Sequence, residues 1–153
     1  MGKINLSRVV LGGLLAGVVI NLVEGVMNGV VFGKQWAEVM TGLGKSATPS
    51  VKQIIALNLW GFALGILTVW IYAAIRPRFG AGPKTAMCAG LTAWALAQAM
   101  GTAIPVFFHI YNVGLALSAV TVELVEMLVA GVVGAYLYKE DPAEVPRSSA
   151  ARA

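Results

Sequence analysis

The stretch Asn21-Leu22-Val23-Glu24-Gly25-Val26-Met27-Asn28-Gly29 places one carboxylate and two carboxamides inside a run that is otherwise apolar enough to cross a bilayer. A charge at that depth costs at least a few kcal/mol unless it is paired, protonated or hydrated. We therefore expect another part of the chain, or a partner, to compensate the charge of Glu24.

The composition around this stretch is that of an integral membrane protein. Of the 153 residues, 58% are hydrophobic and only 12% are charged, about half the charged fraction typical of a soluble domain. The apolar runs at about 8–32, 53–75, 84–106 and 113–138 each reach the roughly 20 residues that a helix needs to span the hydrocarbon core. Because only helices satisfy their own backbone in lipid over such runs, we predict an all-α, polytopic four-transmembrane-helix bundle with short loops.

One domain is expected, with the bundle at 1–139 and a disordered tail at 140–153. The first run is too long for a signal peptide, and Glu24 and Asn28 interrupt it, so we interpret it as a retained helix. The single cysteine, Cys88, cannot form an internal disulfide, and its position in the third run predicts a small buried hydrophobic residue.

Basic residues are distributed unevenly between the two sides of the predicted bundle. Three lie on the outer side: Lys34, Lys45 and Lys52. Eight lie on the side of the termini: Lys3, Arg8, Arg76, Arg78, Lys84, Lys139, Arg147 and Arg152. Lysine and arginine favour cytoplasmic loops. The bias predicts a multi-pass protein with both termini, and hence the tail, in the cytoplasm, and this placement makes the positive net charge a membrane feature rather than a sign of nucleic-acid binding.

The ends of the helices carry recognisable signals. Ser7 is a candidate N-cap of the first helix, and the second helix is expected to begin near Ser50. Proline is expected to end the second helix at Pro77 and the third at Pro105. Trp36 fits an interfacial anchor within a short helix at the membrane surface.

The first helix has a small and polar face. Gly13-x-x-x-Gly17 and Gly25-x-x-x-Gly29 are small-xxx-small pairs of the kind that allow close helix contact. Asn21, Glu24 and Asn28 continue the same face at intervals of three or four residues. The spacing predicts that this face packs against the other helices while the Val/Leu face meets lipid.

Polar groups from all four helices fall in the outer half of the predicted bundle, judged from a helix rise of ~1.5 Å per residue. No lysine or arginine lies at that depth. We expect Glu24 to meet Glu123, Glu126 or Gln98 across the bundle, or to be protonated, metal-bound or partnered from outside. The predicted polar intramembrane cluster consists of Glu24, Asn28, Asn58, Gln98, Glu123 and Glu126.

Two interpretations of this cluster stay open. Glu123-x-x-Glu126, with Glu24 across and His109 above, offers oxygen-rich ligands that suit a divalent metal, although the Glu-x-x-His motifs of di-iron bundles are missing. The alternative is hydrogen bonding between helices, worth roughly 0.5–2 kcal/mol per contact. We predict no resident cofactor, with a divalent metal as the open possibility.

Two segments carry a resemblance to a known family. Gly29-Val30-Val31-Phe32-Gly33-Lys34-Gln35-Trp36 and the helix ending Met127-Leu128-Val129-Ala130-Gly131-Val132-Val133-Gly134-Ala135-Tyr136 resemble the bacterial four-helix membrane proteins filed as domain of unknown function 1761. The resemblance covers about a quarter of the chain. It implies bacterial origin, the inner (cell) membrane and a four-helix topology, and no activity.

Two function classes remain. With glycine-rich faces and without a Walker loop, a Ser/His/Asp set or a CxxC pair, the sequence favours a non-enzymatic packing or accessory subunit, or a homo-oligomer, over an enzyme. The alternative is a small proton- or cation-coupled transporter or channel that uses Glu24, Glu123 and Glu126. The expected surroundings are the lipid bilayer and a homo-oligomer or larger membrane complex, with no nucleic acid.

Overall fold

The computed structural model describes residues 3–140, and every regular element in that range is a helix. Four helical spans in this range are long and apolar enough to cross a membrane: Leu6–Val31, Val51–Phe79, Pro83–Phe107 and Val113–Tyr136. The predicted all-α, four-helix architecture of a multi-pass membrane protein is confirmed. The predicted disordered tail lies outside the described residues, except for Glu140.

The described residues contain six α-helices and two π-helical turns, and all of these except α2 lie in the four spans. Helix α1 (Leu6–Val26) continues into a π-helical turn (Met27–Val31), and the short α2 (Gly33–Gly42) follows. Helix α3 is Val51–Phe79. The third span joins α4 (Pro83–Trp94), a second π-helical turn (Ala95–Ala99) and α5 (Met100–Phe107), and α6 is Val113–Tyr136.

The spans pack in a ring that follows the order of the chain. Helix α1 packs mainly against α3 and α6, and α4 packs against α6 and α3. Neighbouring spans run antiparallel, as in an up-down four-helix bundle. The connections at 80–82 and 108–112 are short as predicted, whereas the connection at 32–50 is longer than predicted and contains α2. The N-terminal end of α1 therefore lies at the same end of the bundle as the C-terminal end of α6.

The helix ends correct several expectations. The N-cap of α1 is Asn5, whose side chain accepts a hydrogen bond from the Arg8 amide, and not Ser7, which lies inside the helix. Helix α3 begins directly after Ser50, as predicted, and Ser50 caps it in a reciprocal capping box with Gln53. Helix α3 continues past Pro77 to Phe79. A proline in the last turn removes one backbone hydrogen bond without ending the helix there, and the turn ends at Gly80, whose φ of 83° favours glycine.

The third span also differs from the sequence-based expectation in two respects. Pro105 lies inside α5, which ends at Phe107. Transmembrane helices tolerate proline where π-helical adjustments and neighbouring helices compensate for the lost backbone bond. Cys88 is exposed on the outside of α4 rather than buried, because the packed face of this helix is formed by Ala86, Ala89, Gly90 and Ala93.

The two ends of the bundle differ in packing, and we name them by their distance from the N-terminus. The proximal half comprises residues 6–20, 62–79, 83–93 and 127–136. The distal half comprises residues 21–31, 51–61, 94–107 and 113–126. Most of the buried hydrophobic core lies in the proximal half.

In the proximal half, glycine residues allow neighbouring helices to approach each other closely. A Cβ atom built on Gly17 would lie 2.8 Å from the Cα atom of Phe62, and one built on Gly90 would lie 2.9 Å from the carbonyl carbon of Met127. Real Cβ atoms do not approach other atoms that closely, so only glycine permits these helix crossings. The predicted close contact at Gly13-x-x-x-Gly17 is confirmed.

The distal half is more open. Every residue from Val51 to Trp60 is exposed, and a Cβ atom built on Gly25, Gly29 or Gly101 would meet no atom of another element within 4 Å. The expectation of a close contact at Gly25-x-x-x-Gly29 is therefore wrong. Both π-helical turns lie in this half.

Helix α2 is the predicted short helix at the membrane surface. It lies at the distal end, where the Trp36 ring packs edge-on against Tyr111 with ring centroids 5.1 Å apart. Tyr111 belongs to the loop between α5 and α6, so this contact joins the two distal connections.

Candidate carboxyl site in the distal half

Glu126 is the most enclosed polar side chain of the distal half. It lies 13 residues into α6, about 20 Å from its distal end at ~1.5 Å per residue. The residue is only 3% exposed, and neither carboxyl oxygen has a hydrogen-bond partner among the described residues. A buried acceptor without a donor carries the full cost of its desolvation. A bound proton or a ligand that donates hydrogen bonds would offset this cost.

Glu123 lies one turn closer to the distal end of α6. Its side chain is half-buried, and its Oε2 atom also lacks a hydrogen-bond partner among the described residues. The carboxyl groups of Glu24, Glu123 and Glu126 lie close enough to interact electrostatically. The structure thus brings together the three carboxylates that the sequence placed at similar depth on α1 and α6.

Glu24 has a hydrogen-bond partner on its own helix. The Asn28 side-chain amide, four residues further along the same span, donates to Glu24 Oε2. The expected direct partners Glu123, Glu126 and Gln98 do not hydrogen-bond to Glu24 in the described chain. The correction has a simple cause, since side chains four residues apart on a helix are already neighbours.

The amide of Asn28 extends this contact towards the distal surface. Its Oδ1 atom accepts a hydrogen bond of 2.8 Å from Trp36 Nε1, and Trp36 packs against Tyr111. A continuous chain of polar and aromatic contacts therefore runs from Glu24 to the distal loops. Sequence reasoning assigned Trp36 to the membrane interface and missed this role, because an eight-residue separation across a helix break carries no periodic signal.

Gln98 is the contribution of the third span. It lies in the π-helical turn Ala95–Ala99, half-buried, and its Oε1 atom has no hydrogen-bond partner among the described residues. One residue before that turn, Trp94 Nε1 donates a hydrogen bond of 2.9 Å to the carbonyl oxygen of Val120 on α6. This bond fixes the third span against the helix that carries Glu123 and Glu126.

The structure excludes Asn58 from the cluster. Its side chain is exposed and donates a hydrogen bond of 2.8 Å to the carbonyl oxygen of Ile54 on its own helix. Asn21 instead makes the hydrogen bond between these helices, because its Nδ2 atom donates to the Asn58 carbonyl oxygen at 3.2 Å. The same atom also donates to the Gly17 carbonyl oxygen of its own helix at 2.9 Å. Gly61 opposes Asn21, and a Cβ atom there would lie 2.5 Å from Asn21 Oδ1.

The candidate metal ligands are not gathered into one centre. Among the described residues, no group of three or more His, Cys, Asp and Glu side chains is arranged to hold a metal ion. His109 is exposed in the turn between α5 and α6, at the distal surface, with a φ of 56°.

A groove between α1 and α6 passes over the side chain of Glu126, whose two carboxyl oxygens are themselves covered. Its volume is about 370 Å³, and its walls are formed by Val19, Val23 and Met27 of α1 and by the α6 residues around Glu126. Except for Thr121 and Glu126, every residue that lines it is apolar. A second cleft of about 420 Å³ lies between α2 and the beginning of α6 and does not reach the carboxylates.

The chemistry of the site is that of hydrogen-bond acceptors without donors. Gln98 Oε1, Glu123 Oε2 and both oxygens of Glu126 can accept hydrogen bonds, and no lysine or arginine of the described spans lies at their depth. Such a set suits a proton or a cation that donates hydrogen bonds. It offers no nucleophile and base pair of the kind that covalent catalysis needs.

Comparison with known proteins adds no relative. No family model, no curated protein and no solved structure matches this chain. The resemblance to the bacterial membrane proteins of domain of unknown function 1761 stays a prediction.

Proposed function

We propose that this protein is a small membrane transporter or channel in which Glu24, Glu123 and Glu126 bind and pass a proton or a monovalent cation. The observation that carries the proposal is the unpartnered carboxyl group of Glu126. Ionisable residues inside a membrane bundle are costly and commonly mark ion or proton pathways. Here the cost falls on three carboxylates that interact electrostatically, and no lysine or arginine of the described spans lies at their depth.

We also propose an orientation in the membrane. The excess of lysine and arginine at the proximal end supports cytoplasmic termini, and the family resemblance supports a bacterial cell membrane. The carboxyl site would then lie nearer the outside. In a Cys88→Ser background, an impermeant maleimide should label Ser46→Cys in intact cells and leave Ala81→Cys unlabelled; the reverse pattern would invert the assignment.

Flux through proteoliposomes tests the function. The purified full chain is reconstituted, and uptake of protons, sodium and methylammonium is followed under an imposed membrane potential. We expect flux of at least one of these ions above the level of empty liposomes. The variant Glu24→Gln/Glu123→Gln/Glu126→Gln should return it to that level.

The matched control is Glu38→Gln, which removes an exposed carboxylate on α2 away from the cluster. It should keep the flux of the original chain. The proposal fails if no ion is carried above background, or if the triple variant carries it as well as the original chain does.

A role through packing, as an accessory subunit or a homo-oligomer, is the second candidate. The exposed distal part of α3 supports it, because Asn58 is a polar side chain on a surface that otherwise presents residues such as Leu57 and Trp60. Polar side chains join transmembrane helices more often than they face lipid. Native mass spectrometry from mild detergent should then show a complex that Asn58→Leu weakens; a monomer without partners would count against this role.

A further inference from the structure

We propose that the carboxyl site takes lipophilic primary ammonium ions, which reach Glu126 sideways from the bilayer through the groove between α1 and α6. This inference rests on the proposed function and narrows its substrate class. It follows from the shape and lining of the groove, from the burial of Glu126, and from the chemistry of the unpartnered atoms.

The groove joins the surface of the bundle to the carboxyl site. Val125 and Val129, which line it on α6, are 60% and 48% exposed, whereas Glu126 between them is 3% exposed. In a membrane-spanning bundle, exposed valines at this depth face hydrocarbon rather than water. A molecule that enters past them reaches the side chain of Glu126 without crossing a polar surface, and a rotation of that side chain turns its covered carboxyl group towards the groove.

The apolar walls select the body of the ligand. Val19 and Val23 of α1 oppose Val122 and Val125 of α6 across the groove, and these side chains offer no hydrogen bond to a hydrated ion. A volume of about 370 Å³ falls within the range of roughly 300–1,000 Å³ common for pockets that bind small molecules. The groove therefore suits a hydrocarbon or aromatic body with one charged end.

The carboxyl end selects the charged group. A primary ammonium carries three N–H donors and no acceptor. Glu126 Oε1 and Glu126 Oε2, beneath the groove, are acceptors without partners among the described residues, and Glu123 Oε2, one helical turn away and outside the groove, is another. A buried carboxylate is stabilised when a cation both neutralises it and donates hydrogen bonds, so a primary ammonium compensates charge and hydrogen bonding together.

Equilibrium binding tests the inference with 2-phenylethylammonium and methylammonium, which share the charged group and differ in the apolar body. Both are radiolabelled and measured on the purified full chain in detergent, with correction for uptake by empty micelles. We expect 2-phenylethylammonium to bind at least about tenfold more tightly, because its apolar body is buried in the groove. Glu126→Gln should remove the binding of both.

Two matched variants separate the groove from the rest of the surface. Val125→Phe fills the groove at an exposed position where the larger side chain should not disturb folding, and it should weaken 2-phenylethylammonium about tenfold more than methylammonium. Leu117→Phe adds the same bulk at an exposed position of α6 outside the groove, and it should change neither ligand.

Each outcome bears on one of the two proposals. If methylammonium binds and its flux depends on the carboxylates, but 2-phenylethylammonium binds no tighter or Val125→Phe affects both ligands equally, this inference is wrong and the proposed function stands. If neither amine binds and no ion is carried, both are wrong. A phospholipid that co-purifies with the original chain, resists displacement by 2-phenylethylammonium and is lost in Val125→Phe would assign the groove to lipid and overturn the inference.

Discussion

The proximal and distal halves of the bundle differ in how the buried oxygen atoms of their threonine, glutamate and glutamine side chains are hydrogen-bonded. In the proximal half, the buried hydroxyl groups of two threonines donate hydrogen bonds to nearby carbonyl oxygens. Thr68 donates to Leu64 at 2.8 Å, and Thr85 donates to Phe79 at 3.3 Å. In the distal half, Glu123, Glu126 and Gln98 retain acceptors without donors among the described residues. The difference indicates that the proximal half holds the fold together and the distal half carries the site.

Glycine placement produces this difference. Gly17 and Gly90 lie where backbones cross, so the proximal helices approach until only a hydrogen atom fits between them. Gly25 and Gly29 have the same four-residue spacing as Gly13 and Gly17, but a Cβ atom on either would meet no atom of another helix within 4 Å. The distal spans therefore lie further apart at these positions. The two π-helical turns also lie where the spans separate, a position often associated with functional sites.

The largest effect is expected from breaking the proximal contact. Gly17→Leu drives a side chain into the backbone of α3 at Phe62 and should destabilise the fold by about 3 kcal/mol or more. Gly25→Leu on the same helix meets open space and should change stability by less than about 1 kcal/mol. Thermal unfolding in detergent, followed by circular dichroism, compares the two variants. Equal losses would contradict the assignment of stability to the proximal half.

The second prediction separates stability from function in the distal half. Glu126→Met replaces a buried carboxyl group without partners by an apolar side chain of similar size, and should raise the free energy of unfolding by about 1–3 kcal/mol. The same variant should lose ion flux. Glu38→Met, on the exposed face of α2, should change neither. A variant that loses both stability and flux would mean that Glu126 supports the packing of the fold.

The smallest effect is expected for the contacts that lead from Glu24 to the distal surface. Removing the amide with Asn28→Ala frees both Glu24 Oε2 and Trp36 Nε1 and should cost roughly 0.5–2 kcal/mol. Emission from Trp36 should shift to the blue as the indole N–H loses its hydrogen-bond acceptor, measured with the other three tryptophans replaced by phenylalanine.

A double-mutant cycle with Trp36→Phe tests whether the contact itself is responsible. The two substitutions should be less than additive, with a coupling energy of about 0.5 kcal/mol or more. Strict additivity would mean that Asn28 and Trp36 act independently, and that Glu24 has no route to the distal loops through them.

Much of the fold follows from patterns along the chain. The structure confirms the four spans, the helix start near Ser50 and the short helix around Trp36, because these features depend on local apolar length and on the chemistry of helix ends. The helix ends expected at Pro77 and Pro105 were wrong: each helix continues for two more residues, because the loss of the one backbone N–H donor that proline lacks does not end it. The expectation for Cys88 was wrong because its run is apolar on all sides, so periodicity gave no direction.

The sequence by itself determined that this is a four-helix membrane protein with carboxylates at one depth, because apolar length and helical rise are properties of each segment alone. The tertiary structure decided which of those polar groups meet. Asn58 faces outward, Glu24 accepts a hydrogen bond from Asn28, and Glu126 lies beneath an apolar groove. Those outcomes depend on the rotation of each helix about its axis, which is set by the glycine contacts of neighbouring spans rather than by the polar residues themselves.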